Sequence, residues 1–205
     1  SALIADDAIS EEHLDPTIIS SLADTTIDSS DHIMFFDATD SALKKVDAGE
    51  LLGAGKVVQM VNTVSSAVAT STTVFSYANT IPDNSQGAEF MTLAITPTNS
   101  SNKLFIQIVA FMASTNTNAA MNGALYQDST ANALAAIVSA KNNANGAPSI
   151  LTLNHFMDAG TTSETTFKFR GGNAGSGTTT FNGISGSIAF GAITKSSITI
   201  TEIAV

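Results

Sequence analysis

From Lys56 onward the chain reads as short apolar runs separated by polar turns, and that rhythm limits the fold more than any other feature. Ten segments qualify as strands: KVVQMVNT, ATSTTVFSY, AEFMTLAIT, KLFIQIVAFMA, NGALYQ, NALAAIVSA, SILTLNHFM, SETTFKFR, TTTFNG and SSITITEI. They are rich in the β-branched and aromatic side chains that suit a pleated surface. Turn-forming stretches at 83–87, 97–102, 141–148 and 171–177 separate them. Many short strands at even spacing predict an antiparallel β-sandwich of jelly-roll type. NALAAIVSAK suits a helix equally well, because alanine favours one.

Two strands say more than the rest. In SETTFKFR, Phe167 and Phe169 point one way and Thr166, Lys168 and Arg170 the other, which is a strand with one wet face. In the run 103–113 both faces are apolar. Leu104, Ile106, Ile108 and Met112 line one face; Phe105, Val109 and Phe111 line the other, broken by Gln107. A sandwich core covers only one of them. At ~25 cal/mol per Å², leaving the second exposed forfeits several kcal/mol and presents an adhesive patch. Phe105, Val109 and Phe111 are therefore expected at an interface with another subunit.

Charge divides the chain in two. Residues 1–54 hold twelve Asp and Glu and two Lys, a net of −10; residues 55–205 hold six acids and six bases. The first piece is too short to bury much surface alone. Within it, HIMFFD and the run 41–46 predict a hairpin across the polar connection 37–40. Asp47-Ala-Gly-Glu50 has capping-box spacing, with Val46 and Leu51 placed as a hydrophobic staple, and the helix it starts runs to Leu52 before Gly53-Ala-Gly55. Residues 1–23 suit a short helix or an extended arm, and Pro16 stops any helix near Asp15. We read 1–54 as an acidic stem and 55–205 as the head. The opening SALIADDAIS resembles neither a start nor a signal peptide, so a longer protein is expected to precede Ser1.

Composition narrows the function. The acidic balance, without Lys/Arg clusters, disfavours nucleic acid. Cysteine is absent, which excludes disulfides and thiolate metal sites. No stretch approaches the ~20 continuous apolar residues of a membrane helix, and no insertion is expected. The acidic run from Asp6 to Asp15 lacks EF-hand spacing and reads as solvated surface rather than a Ca²⁺ site. His155 shares a strand face with Leu151, Leu153 and Met157, as a packed histidine would. There is no G-x-S-x-G elbow. The glycine-rich 171–178 lacks the Lys-Ser/Thr ending of a phosphate loop. Glycoside hydrolysis needs two carboxylates, and the head offers only Asp83, Glu89, Asp128, Asp158, Glu164 and Glu202, mostly in turns or at strand ends. No catalytic residue, cofactor or metal is expected.

Three phrases of the head are familiar. Lys56-Val-Val-Gln-Met-Val61 follows a glycine linker. Thr96-Pro-Thr-Asn-Ser-Ser-Asn-Lys-Leu-Phe-Ile106 has the form T-P-x-x-x-S-x-K-hydrophobic. Ser197-Ile-Thr-Ile-Thr-Glu-Ile203 closes the fold. Together they resemble the C-terminal β-rich heads of bacteriophage tail-fibre proteins. Thr25–Asp37 (TTIDSSDHIMFFD), Ala42-Leu-Lys-Lys-Val46 and Glu50-Leu-Leu52 resemble the shaft modules of that family. The resemblance implies a virion protein that acts outside the cell. It implies a homotrimer with a short intertwined stem, joined to the rest of the fibre before Ser1, whose head touches a host surface receptor without chemistry.

The loops 115–122, 141–149 and 171–180 match nothing in that family, so recognition is expected there. Their hydrogen-bonding candidates are Asn116, Asn118, Asn122, Asn142, Asn143, Asn145, Asn173, Ser176 and Thr178. Such amides suit a polysaccharide. Aromatic platforms are scarce: Trp is absent, and the resemblance gives Tyr77 a structural position. Weak single sites would then gain avidity from three copies per tip. The rival readings are a purely structural trimerisation domain and a polysaccharide depolymerase.

Overall fold

The computed structural model describes residues 31–39, 41–51, 55–141 and 144–205. The chain divides into two compact units, Ser1–Leu52 and Gly53–Val205.

In the first unit, β1 (His32–Asp37) pairs antiparallel with β2 (Ala42–Asp47), Phe36 opposite Leu43. Asp37 closes the connection, accepting from Thr39 N at 2.9 Å and from Lys44 Nζ at 3.0 Å. A one-turn helix, α1 (Ala48–Leu51), follows directly, so Asp47 stands at its start as the spacing predicts. Its Oδ1 lies 3.1 Å from His32 Nε2 on the paired strand. The expected arm 1–23 and the glycine junction before Gly55 lie outside the described residues.

The second unit is an antiparallel β-sandwich. One sheet has the order β5 (Ala88–Ile95), β10 (Thr165–Asn173), β7 (Ala120–Gln127), β8 (Ala135–Lys141). The other places β6 (Lys103–Ser114) between β9 (Pro148–Asp158) and two strands lying end to end, β14 (Ser196–Ile203) and β11 (Thr179–Phe181). Outside these run β3 (Val57–Ser65) and β4 (Ala69–Ser71), also end to end. Between β11 and β14 the chain makes an excursion through the small hairpin β12 (Gly183–Ile184) and β13 (Ser187–Ile188), with Phe190 and Ile193 exposed.

The inner faces of the two sheets meet in one core. Leu104, Ile106, Ile108 and Met112 of β6 and Ile198 and Ile200 of β14 pack with Phe167 and Phe169 of β10 and with Met121 and Leu125 of β7. Period-two burial along β6 and β10 follows the predicted faces. β8 is a strand, which resolves the alanine-rich ambiguity: Ile137 pairs with Gly123 on the core side, and β8 forms the edge of the sheet. Gly123 is required there, since a Cβ would lie 2.7 Å from the Phe169 ring.

The expected strand ATSTTVFSY is only partly one. Pairing stops at Ser71, and the following residues lie as a strap over the outer face of the β5-β10-β7-β8 sheet. Phe75 drives this, burying its ring against Ala124 and Tyr126. Phe75 N donates to Asn173 O at 2.9 Å, and Tyr126 Oη donates to Asp83 O at 2.8 Å. Burial pushes the Tyr126 hydroxyl up to about 12.

Both broken strands are mended by one side chain. Asn182 is fully buried, at a positive φ of 56° that Asn tolerates better than most residues. Its Nδ2 donates to Ser65 O (2.9 Å) and Ala67 O (3.2 Å), and its Oδ1 accepts from Ser196 Oγ (2.6 Å). The backbone groups freed at the break thus keep partners.

Candidate functional site

The sheet register sorts the loops by end. Val57, Lys103, Asp158 and Ile203 lie at one end of their sheet; Ser71, Ser114, Pro148 and Thr179 lie at the other. Gly55 N donates to Ala204 O, so the head's chain enters at the first end. The loops after β6, β8 and β10 gather at the second.

Two of these loops are fastened together. Thr115 N donates to Thr178 O at 3.0 Å, and Thr178 N donates to Thr115 Oγ1 at 2.9 Å. Asn116 Nδ2 donates to Ser176 O at 2.6 Å, while its Oδ1 accepts from Asn118 N at 2.9 Å. The third loop joins through Gly146 N, which donates to Ser114 O at 2.8 Å.

Beside the fastened loops lies a hollow of about 450 Å³ between Tyr77, Asn116, Asn118, Ser139, Lys141 and Gly175. Tyr77 is 77% exposed and stands on its wall. The resemblance gives Tyr77 a structural position; within this chain the strap turns Phe75 inward and the next-but-one side chain, Tyr77, out. Tyr126 is buried beneath the strap. A second, narrower hollow of about 230 Å³ shares Tyr77 and Val138 with the first.

The nine loop candidates separate into groups. Asn116 and Asn118 line the wider hollow, and Ser176 and Thr178 lie in the loop bonded to them. Asn145 is exposed in the third loop; Asn142 and Asn143 lie outside the described residues. Two candidates are corrected, because the strands run further than the turn residues suggested. Asn173 ends β10 and is fully buried, its Nδ2 donating to Gly177 O (3.2 Å) and Thr179 Oγ1 (3.2 Å). Asn122 lies within β7, 3% exposed, donating through Nδ2 to Phe75 O at 2.7 Å. It reaches a hollow nonetheless, in the wall of the narrow one.

Sequence reasoning missed Tyr77, Ser139 and Lys141. The signal lay in the alternation around Phe75: if its ring faces the core, the residue two positions on, on a strap rather than a strand, is not bound to follow it.

Five of the head's six carboxylates, all but Glu164, are engaged in structure. Asp83 accepts from Ser85 N (2.9 Å) and Oγ (2.5 Å), bonds that lower its carboxyl below the usual value. Asp128 accepts from Thr165 Oγ1 (2.9 Å) and Thr166 N (2.7 Å). Asp158 pairs with Lys103. Glu89 lies 3.7 Å from Arg170 Nη1. Glu202 is fully buried, and accepts from Gln59 Nε2 (2.6 Å), Asn102 Nδ2 (2.6 Å), Thr98 N (2.8 Å) and Thr98 Oγ1 (2.8 Å). Burial alone would raise its carboxyl, but these donors outweigh it and hold the group at about 2. His155 lies on the core-side face with its imidazole lowered by burial. Among the described residues no three His, Asp or Glu side chains converge as metal ligands. The Asp6–Asp15 run lies outside them.

The outer face of β6 is left open by the rest of the head. Its register forms rows across four strands. Met60, Thr201, Phe105 and Phe156 make one; Asn62, Thr199, Gln107 and Asn154 the next; Val64, Ser197, Val109 and Thr152 the third; Phe111 and Ile150 lie beyond. Val109 is 40% exposed, Phe156 57% and Ile150 68%. Phe105 and Phe156 tilt together at 6.2 Å.

No protein-family model matches this chain, and no curated protein sequence does. Solved structures with some likeness include dimeric latent PorU from Porphyromonas gingivalis, 8% identical over 84% of this chain and 18% of that one, with a TM-score of 0.35. The infectious bursal disease virus Gx strain gives 9% identity over 85% of this chain and 44% of that one, with a TM-score of 0.36. The enzymatically active domain of bacteriophage CBA120 tailspike protein 4 gives 15% over 64% and 20%, with a TM-score of 0.27. This chain thus spans less than half the length of each. At these scores and identities none of them bears on its family or function.

Proposed function

We propose that the protein is a non-enzymatic tip of a viral tail fibre that recognises a host cell-surface polysaccharide. The carrying observation is that the hollow beside Tyr77, rimmed by fastened amide-bearing loops, lies at the end of the head opposite the entry of the chain. A tip held from one end presents the other. An exposed ring offers a sugar its apolar face, and the surrounding amides and Lys141 offer hydrogen bonds.

The strand orders support reading the sandwich as a jelly roll. With β3/β4 and β14/β11 each counted as one strand, the head has two four-stranded sheets, the arrangement used by many capsid and lectin domains. The open face of β6 supports the homotrimer, with Phe105, Val109 and Phe111 against neighbouring copies. The fibre continues on the N-terminal side of the stem, and the protein acts on the virion outside the host cell. No chemical step belongs to this reading, since Asp83, Asp128 and Glu202 each serve as structural acceptors.

Adsorption of the labelled trimer to host cells tests it. Tyr77→Ala combined with Asn118→Ala is expected to abolish adsorption while the native mass stays at three times 21.0 kDa. Unchanged adsorption would favour a structural trimerisation domain. Release of reducing ends from host polysaccharide would favour a depolymerase.

A further inference from the structure

We propose that the excursion between β11 and β14 is a docking arm, which lays Ile188, Phe190 and Ile193 against the open outer face of β6 in a neighbouring copy of this chain. The inference rests on the homotrimer reading and names the element that completes its interface.

Pairing places the arm. Alternation along β6 puts Ala113 on the same outer face as Phe105, Val109 and Phe111, in one row with Thr180 and Thr70. Ala113 and Thr180 are buried nonetheless. The β12-β13 hairpin covers them: Gly186 N donates to Thr180 Oγ1 at 2.9 Å, and a Cβ on Gly186 would meet Thr70 at 3.8 Å. The open window begins at the next outer pair, Phe111 and Ile150.

From the hairpin the chain returns to β14 through Phe190, Gly191 and Ala192, all at positive φ (47°, 64° and 68°). Glycine suits that region, but a bulky side chain there is strained. Such strain persists where the surroundings hold it. Yet no residue of this turn is buried, and Ile188, Phe190 and Ile193 all stand exposed. Within one chain the arm and the window both stay open.

The window falls short by itself. At ~3.3 Å per residue and ~4.8 Å per strand, rows 105–111 across four strands give a flat footprint of about 400 Å². A stable interface buries about 800 Å² on each partner. Three large apolar side chains from the next copy supply the missing surface. An arm on one partner and a window on the other form a heterologous contact, the kind that closes into a ring of three.

Native mass spectrometry of the full chain across a dilution series tests this. Phe190→Gly with Ile193→Ser removes the arm's side chains at exposed positions. The trimer of this double variant is expected to dissociate at a concentration at least tenfold higher than the wild type. Its thermal midpoint, read at a dilution where both are monomers, should not fall. Mixing it with Val109→Lys, whose window is spoiled but whose arm is intact, should give a species of twice 21.0 kDa that neither forms alone. Unchanged resistance to dilution, a lowered monomer midpoint, or no such species on mixing would each overturn the inference. So would loss of binding to phosphatidylglycerol vesicles with the trimer intact, which would make the loop a membrane contact. A wild-type mass of 21.0 kDa at every concentration would end the trimer reading itself, and the arm with it.

Discussion

Asn102 Nδ2 donates to Glu202 Oε1 at 2.6 Å, joining residues one hundred positions apart in the buried margin of the β6-β14 sheet. The same carboxylate binds Thr98 and Gln59. It thereby ties together the entry strand, the T-P-x-x-x-S-x-K turn and the closing strand, the three phrases that carried the tail-fibre resemblance.

Replacing Glu202 with Gln presents an N–H₂ group to a nest built of donors. Destabilisation by roughly 2–4 kcal/mol is expected from the loss of charge-assisted bonds and the donors left unpaired. Urea unfolding followed by circular dichroism reads it as a lowered midpoint.

The same group sets an acid limit. Its folded value, about 2, lies below the ordinary 4.5, so the folded state favours the ionised form. That stability is fully present above the ordinary value and drains away as pH falls from there toward 2. Wild-type unfolding midpoints should fall across this window. The Glu202→Gln protein should show a visibly shallower fall.

Asn182→Ala removes the amide that satisfies Ser65 O and Ala67 O and places alanine at a positive φ. A loss of about 2–3 kcal/mol is expected. Amide exchange in β3 and β14 near the break should quicken more than exchange in β7.

Val109→Lys puts a charge in the middle of a partly apolar face whose own charged pair, Lys103 and Asp158, lies at one end. The isolated head should keep its fold, because the position is already 40% exposed. If the proposed trimer uses this face, native mass spectrometry should show it giving way to a species of 21.0 kDa. A trimer of unchanged strength would place its contacts elsewhere.

Much of the sandwich was legible because its physics is local. Period-two burial marks β6 and β10, and turn residues mark most strand ends. The strap was not legible, because Thr72 to Tyr77 has good β propensity and only the arrival of Phe75 on Ala124 and Tyr126 takes it out of the sheet. The site was half legible. Amide-rich loops announced Asn116 and Asn118, but Asn122 and Asn173 look no different in sequence although strands have claimed them. Glu202 looked like one of several strand-end acids. Its role depends on donors from 59, 98 and 102, which no spacing rule brings together.

The reciprocal bonds between Thr115 and Thr178 have a consequence for variation. Two rims clasped by one backbone–backbone bond and one bond to the Thr115 hydroxyl cannot easily change length one at a time, since an insertion in either strands the other's amide. Related heads should therefore remodel 115–118 and 174–178 in the same step, and hybrid heads that graft only one of them should fold less well than those that graft both.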